Sequence, residues 1–266
     1  MGYCMWSRIG ILTLLALPLL TISPTHAEML PSPVEPSFCA PDVFLTHEIP
    51  EEGAEGIKRL HAYRLGAVVL AGMAIGESDA GSVSRLAERH GVTSEERFCT
   101  WYVNKGNAEA EQRFRQIYLP NPSSLSPDEA AGRYGEQLGP AFAEGRASIW
   151  WCLEEKGFLA VGCNGQLHRG PTVFGMVLAA LGCSAEHAAE IVNRIWGLNG
   201  VPPATRFAAI KRASDLGFRP PGLGSKLREQ LSDSAVVDTK NHRQVFSPAL
   251  TFQPPAIPET GLSPIR

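Results

Sequence analysis

An apolar run near the amino terminus decides how much of this chain is available to fold. The run covers residues 9–22, follows a single positive charge at Arg8, and leads into the small residues Thr25 and Ala27. A charged start, an apolar centre and a small-x-small ending are typical of a cleavable secretory signal peptide. A membrane-spanning helix needs roughly 20 apolar residues, which this run does not reach. We therefore expect residues 1–27 to be removed and the protein to be exported, either periplasmic or secreted.

The remaining chain has the size and composition of one globular domain. Hydrophobic residues make up 44% of the sequence, enough to bury a core, and no second apolar stretch predicts a membrane span. The formal net charge of the whole chain is −3. A mildly acidic exported protein is a poor candidate for binding nucleic acid or an anionic membrane surface, so we expect neither as a partner.

Five cysteines follow the predicted signal peptide, and an oxidising compartment favours their pairing in disulfides. They are Cys39, Cys99, Cys152, Cys163 and Cys183. No C-x-x-C pair or Cys/His cluster occurs, so we expect no metal site, and no motif predicts a cofactor. The odd number predicts two disulfides and one cysteine that is either free or in an intermolecular bond. Cys152 and Cys163 are the first candidate pair, because Gly157 can turn the chain between them.

Helical periodicity dominates the rest of the chain. Within residues 51–76, apolar side chains recur at three- and four-residue steps, which is typical of one helix face. Further helices are predicted over 82–90, 108–119, 126 to 150 or 155, 171–181, 185–196 and 203–216. Strand patterns are limited to 98–103 and 158–163. The sequence therefore predicts a mainly α fold: a single globular multi-helix domain with at most a small β ribbon and irregular termini.

Composition divides the chain into four segments. The predicted signal peptide, 1–27, is followed by an extended proline-rich entry segment over 28–50. The helical domain is expected to cover 51–231. Residues 232–266 are polar and then proline-rich, which predicts a disordered tail outside the core.

The most informative stretch is residues 70–81, where the predicted first helix ends in Glu77 and a polar, glycine-bearing turn. Enzymes that cleave sugars need an acid that stays protonated near neutral pH, and partial burial against apolar walls provides this. A carboxylate at the end of an apolar helix meets that requirement while still facing a cleft.

This stretch resembles the catalytic helix end of goose-type lysozymes and related lytic transglycosylases, in which an Ala-Gly pair precedes an E-S-x-A-G ending. The residues that match are Ala71, Gly72, Glu77, Ser78, Ala80 and Gly81. The resemblance is confined to this short segment. It implies a mainly α fold that acts on peptidoglycan, with Glu77 as the general acid and base. Ser78, Asp79, Trp101 and Tyr102 are candidate binding residues, the two aromatic ones as sugar-stacking walls.

Other interpretations of the same residues remain open. Glu77 and its neighbours are also ordinary chemistry for an exposed turn. Residues 67–75 could instead be a buried strand, and residues 76–80 would then form a serine nucleophile elbow, which also needs a helix after it and an acid and a histidine downstream. The main alternative to an enzyme is a non-catalytic exported helical domain that binds a protein partner or a cell-envelope component.

Overall fold

The computed structural model describes residues 35–104, 113–143 and 148–215. The predicted signal peptide and the predicted tail lie outside these described residues, and so does the segment 216–231. The bounds of the four predicted segments therefore stay predictions.

A six-stranded mixed sheet forms the centre of the protein. Its strands are β1 (Glu48–Ile49), β2 (His61–Leu65), β3 (Val68–Ala74), β4 (Thr100–Asn104), β5 (Arg115–Tyr118) and β6 (Phe158–Cys163). The order across the sheet is β1-β2-β3-β6-β4-β5. The first three strands are antiparallel, whereas β3, β6, β4 and β5 run parallel. The fold is α/β, and the prediction of a mainly α domain with a small β ribbon is wrong.

The error is largest at residues 51–76, where the predicted helix is a β-hairpin. Leu65 pairs with Val68 across a two-residue turn whose Gly66 has φ +61°. Glycine adopts this left-handed conformation without the steric cost that other residues pay. Strand β3 is buried along its whole length. A strand buried on both faces is a continuous apolar run, which periodicity alone cannot distinguish from a buried helix.

Seven α-helices lie in the described segments. They are α1 (Pro41–Thr46), α2 (Ala80–Arg89), α3 (Pro127–Ala143), α4 (Ile149–Trp151), α5 (Arg169–Leu181), α6 (Ala185–Trp196) and α7 (Pro203–Asp215). Four 3₁₀ turns, at Ser37–Cys39, Ile75–Glu77, Ser94–Cys99 and Pro122–Ser124, and a π-helical turn at Cys152–Lys156 complete the elements. The predicted helix over 185–196 is confirmed, as is the predicted strand over 158–163. The predicted helix over 108–119 is wrong at 115–118, because those residues pair in parallel with β4.

Helix α5 is the central helix of the core. Every residue from Gly170 to Leu181 is buried. It packs on β3, β4 and β6 and also against α6 and α7, while α3 packs on α7. The neighbouring strands β4 and β6 are buried throughout, as expected for a parallel sheet covered on both faces.

Two disulfides connect distant parts of the described chain. Cys39 bonds to Cys183, and Cys99 bonds to Cys152. Cys163 is the free cysteine among the described residues. The predicted number of two bridges and one thiol is confirmed, but the predicted Cys152–Cys163 pair is wrong. Strand β6 carries Cys163 roughly 17 Å along the sheet from the turn that follows Cys152, given about 3.3 Å per strand residue.

Within the described segments, no helix combines the length and the hydropathy needed to cross a bilayer.

Candidate functional site

The four parallel strands end together at one side of the sheet, which we call the carboxyl edge. Cys163, the last residue of β6, pairs with Ala74, the last residue of β3. On the other side of β6, Tyr102 pairs with Gly162, and Asn104 pairs with Tyr118. In open α/β sheets, ligands bind in the crevice outside the carboxyl ends of the strands. The segments that follow these strands are therefore the first place to look for a site.

The segment after β6, one of the two inner strands of the four, connects it directly to the buried helix α5. We call residues 163–169 the Cys163 loop. It begins with a thiol that is only 3% exposed and ends with Arg169, the first residue of the helix. The five residues between them form neither helix nor strand.

The amino terminus of α5 differs from those of α2 and α6. Helix α2 is capped by Asp79, whose Oδ1 accepts from the Ser82 N–H at 2.7 Å. Helix α6 is capped by Ser184, whose Oγ accepts from the His187 N–H at 3.2 Å. Helix α5 has no side-chain cap. Pro171 has no N–H, so the N–H groups of Arg169 and Gly170, together with the positive end of the helix dipole, make a favourable place for an anion.

Arg169 adds a guanidinium to this helix end. Its Nε–H donates to the carbonyl oxygen of Leu119 at 2.7 Å, which ties the Cys163 loop to the segment after β5. That segment is fixed in turn by the hydroxyl of Tyr134, which donates to the carbonyl oxygen of Pro120 at 3.0 Å. A guanidinium has five N–H donors, so four remain beyond the one given to Leu119.

The inner side of the Cys163 loop is held by two fully buried polar residues. Gln166 has φ +48°, and its Oε1 accepts from the Cys163 N–H at 3.2 Å. Arg206 donates to the carbonyl oxygen of Leu167 at 3.4 Å and to that of Gly197, past the end of α6, at 2.8 Å. Burial lowers the pKa of Arg206 to about 10. The loop is thus anchored to the helical layer and not left as a free surface turn.

Glu77 reaches the same loop from the end of β3. Its Oε2 lies 3.2 Å from Nη1 of Arg59, and the same Nη1 donates to the carbonyl oxygen of Gly165. A Cβ atom on Gly165 would lie only 2.7 Å from Glu77 Oε1. The Glu77 side chain is 42% exposed. The structure therefore brings the predicted catalytic carboxylate to the rim of the Cys163 loop, although it follows a strand and not a helix.

Ser78 and Asp79 have structural partners. The Ser78 hydroxyl donates to the Ala74 carbonyl oxygen at 2.6 Å and accepts from the Lys58 N–H at 2.9 Å. Ser78 does lie between a strand and a helix, but its hydroxyl is engaged in closing the turn. Asp79 caps α2, and the hydrogen bond from the Ser82 backbone lowers the pKa of its carboxyl group.

The two candidate aromatic residues, Trp101 and Tyr102, are consecutive in β4, so their side chains lie on opposite faces of the sheet. Trp101 is fully buried, packs edge-on against Phe142, and donates its Nε1–H to the Phe98 carbonyl oxygen at 2.9 Å. Tyr102 is also buried, but its hydroxyl is at the carboxyl edge: a Cβ atom on Gly76 would lie 2.6 Å from it. Burial raises the pKa of Tyr102.

A surface cavity of about 230 Å³ lies away from the carboxyl edge, near Thr100 at the amino-terminal end of β4. It is lined mainly by α2 and the segment that follows it, and none of the predicted site residues lines it.

Among the described residues, one cluster has the composition of a metal site, Glu35 with Cys39 and Cys183, but both of its sulfurs are bonded in a disulfide.

The sequence interpretation assigned Cys163 to the disulfides and gave Arg169 no role. A signal was nevertheless present. A predicted strand over 158–163 was followed closely by a predicted apolar helix from 171, with a cysteine and an arginine between them.

The chain matches no protein-family model, no curated protein and no solved structure.

Proposed function

We propose that the Cys163 loop binds a phosphate-like oxyanion and that the protein hydrolyses phosphate monoesters through a covalent intermediate on Cys163. One observation carries this proposal. The free cysteine ends an inner parallel strand and is followed, after five intervening residues, by an arginine at the start of a buried helix that has no side-chain cap.

The combination of donors favours a tetrahedral oxyanion. Unsatisfied N–H groups at a helix start bind phosphate and sulfate readily. The planar guanidinium of Arg169 can give two parallel hydrogen bonds to adjacent phosphate oxygens. A phosphate group has enough oxygens to use both sets of donors at once.

The thiol supplies the nucleophile. Cysteine attacks as the thiolate and forms covalent intermediates that divide one difficult step into two. In the first step, Cys163 Sγ forms a bond to phosphorus and the bond from phosphorus to the leaving oxygen breaks. That oxygen takes the electron pair and a proton from solvent. In the second step, water attacks phosphorus, the S–P bond breaks, and the sulfur departs as thiolate with release of inorganic phosphate.

Glycan cleavage by Glu77 stays a separate proposal. Its support is the half-exposed carboxylate at the carboxyl edge, where a polymeric substrate would have access. That activity would need Glu77 and would not need Cys163. The non-catalytic alternative needs neither residue for turnover.

We also propose that the protein is exported. The two disulfides support this, because such bonds persist mainly outside the cytosol. The predicted signal peptide over 1–27 supports it independently.

The decisive experiment compares Cys163→Ser with the wild type on two substrates, p-nitrophenyl phosphate and peptidoglycan. We expect the wild type to release nitrophenol and the variant to show only background release, because a hydroxyl at this place is a far weaker nucleophile than a thiolate. Ser78→Ala is the matched control: it lies on the neighbouring segment and should retain activity.

A wild type without phosphatase activity that also binds neither phosphate nor vanadate would refute the proposal. Release of soluble muropeptides that survives Cys163→Ser but is lost in Glu77→Gln would establish the glycan-cleaving alternative in its place.

A further inference from the structure

We infer that Glu77 is the general base of the second step, which accepts a proton from the water that hydrolyses the cysteine–phosphate intermediate. This inference rests on the proposed function of Cys163. It begins from position: Glu77 Oε1 lies against Gly165, the third residue of the Cys163 loop, although the two residues come from different strand ends.

Arg59 gives the carboxylate a fixed location. One guanidinium nitrogen contacts both Glu77 Oε2 and the Gly165 carbonyl oxygen, so the carboxylate and the loop share a single clamp. The backbone of Arg59 has φ +51°, a conformation that is uncommon for residues other than glycine. Such conformations are costly and occur where the surrounding structure specifies them. Arg59 therefore places the Glu77 carboxylate beside the Cys163 loop.

The other acidic group in the described part of this edge is already engaged. Asp79 accepts from both the backbone N–H and the hydroxyl of Ser82, at 2.7 and 3.0 Å. The segment after β5 contains Asn121, whose side-chain amide oxygen caps the turn Pro122–Ser124 and is therefore also engaged. His168, next to Arg169, is the other titratable side chain on the loop besides Cys163 and Arg169.

The chemistry fits an acceptor. The carboxyl group of Glu77 has two oxygens; Arg59 pairs with Oε2, and Oε1 lies toward Gly165, where it can accept a hydrogen bond from water. As water attacks phosphorus, its proton moves to a Glu77 oxygen, a P–O bond forms, the S–P bond breaks, and Cys163 regains the electron pair. The first step needs no help from Glu77 when the leaving oxygen belongs to a weakly basic phenol.

This assignment predicts that Glu77→Gln separates the two steps. With p-nitrophenyl phosphate, the variant should release one equivalent of nitrophenol per active site in a rapid burst. Steady-state turnover should then be slower than that of the wild type by about 10²–10⁴-fold, the usual contribution of general acid–base catalysis. A phosphoryl group should be detectable on Cys163 by intact mass and by ³¹P NMR.

Two further variants keep the test specific. Glu77→Ala should regain turnover when formate is added, a rescue that a purely structural role would not show. Asp79→Asn is the matched control, because it changes the neighbouring carboxylate but should accumulate no intermediate. Thermal melts of each variant establish that the fold is intact.

Three results would overturn the inference: unchanged turnover in Glu77→Gln, loss of the burst itself in that variant, or accumulation of the intermediate in His168→Gln instead. Failure of the proposed function would look different, because no variant and no rapidly quenched wild-type sample would carry phosphate on Cys163.

Discussion

Two segments at the carboxyl edge differ in how their polar groups are used. Residues 75–79, after β3, contain the conspicuous Glu-Ser-Asp run, yet Ser78 closes the turn and Asp79 caps α2. The Cys163 loop, after β6, has the plainer sequence, but it contains a free thiol and leads into a helix without a side-chain cap. Both segments follow buried parallel strands of the same sheet.

The difference shows that a polar motif is informative only when its hydrogen bonds are accounted for. A side chain that satisfies a turn or a helix end has lost much of its capacity to bind a ligand. A helix end that has no such side chain retains that capacity. In the first segment, Glu77 closes no turn and caps no helix; it pairs with Arg59 and lies against the second segment.

The largest expected contrast lies between the bridged cysteines and Cys163. Replacing Cys39 and Cys183 together by serine should lower the free energy of unfolding by about 2–5 kcal/mol, because the bridge closes a very long loop. Cys163→Ala should cost about 1 kcal/mol or less, since it removes a single buried atom. Urea denaturation of the three proteins measures both effects. A large loss of stability in Cys163→Ala would show that the thiol is a structural residue.

The next effect concerns affinity for oxyanions. Arg169→Met should weaken competitive inhibition by inorganic phosphate about 10- to 100-fold, because a charge-assisted hydrogen bond contributes roughly 1.5–3 kcal/mol. Arg85→Met is the control: this exposed arginine pairs with Asp79 in the other segment, and its loss should leave phosphate inhibition unchanged. Equal inhibition constants in wild type and Arg169→Met would remove the helix start from the binding site.

The smallest effect belongs to the α2 cap. Asp79→Ala should lower the thermal midpoint by a few degrees at neutral pH without changing phosphate inhibition. The hydrogen bond from Ser82 holds the folded-state pKa of Asp79 below its ordinary value. The contribution of the Asp79 carboxylate to the free energy of unfolding is therefore fully present above its unfolded-state pKa, near 3.9. That contribution is lost as the pH falls through the folded-state pKa.

Thermal melts of wild type and Asp79→Ala across the acidic range check this dependence. The difference between their midpoints should shrink as the pH decreases from neutral toward about 2. A difference that is independent of pH would mean that the carboxylate charge does not stabilise the cap.

Local pattern was sufficient for some elements and ambiguous for others. The amphipathic helix over 185–196 and the strand over 158–163 followed from periodicity and flanking residues, because those signals are local. The number of disulfides followed from the cysteine count and the predicted compartment. The hairpin of β2 and β3 did not follow, since a strand buried on both faces has no alternation to reveal it.

The sequence by itself placed Cys163 at the end of a strand and Glu77 at the end of an apolar element, although it predicted that element as a helix. Only the tertiary structure decided that they share one edge, through the parallel pairing of β3 with β6 and through Arg59, which reaches Gly165 across 106 positions of the chain. The pairing of Cys99 with Cys152, which leaves the Cys163 thiol free, was decided in the same way. The physical reason is that strand order and disulfide pairing depend on which buried faces pack together, and no local window of sequence contains that choice.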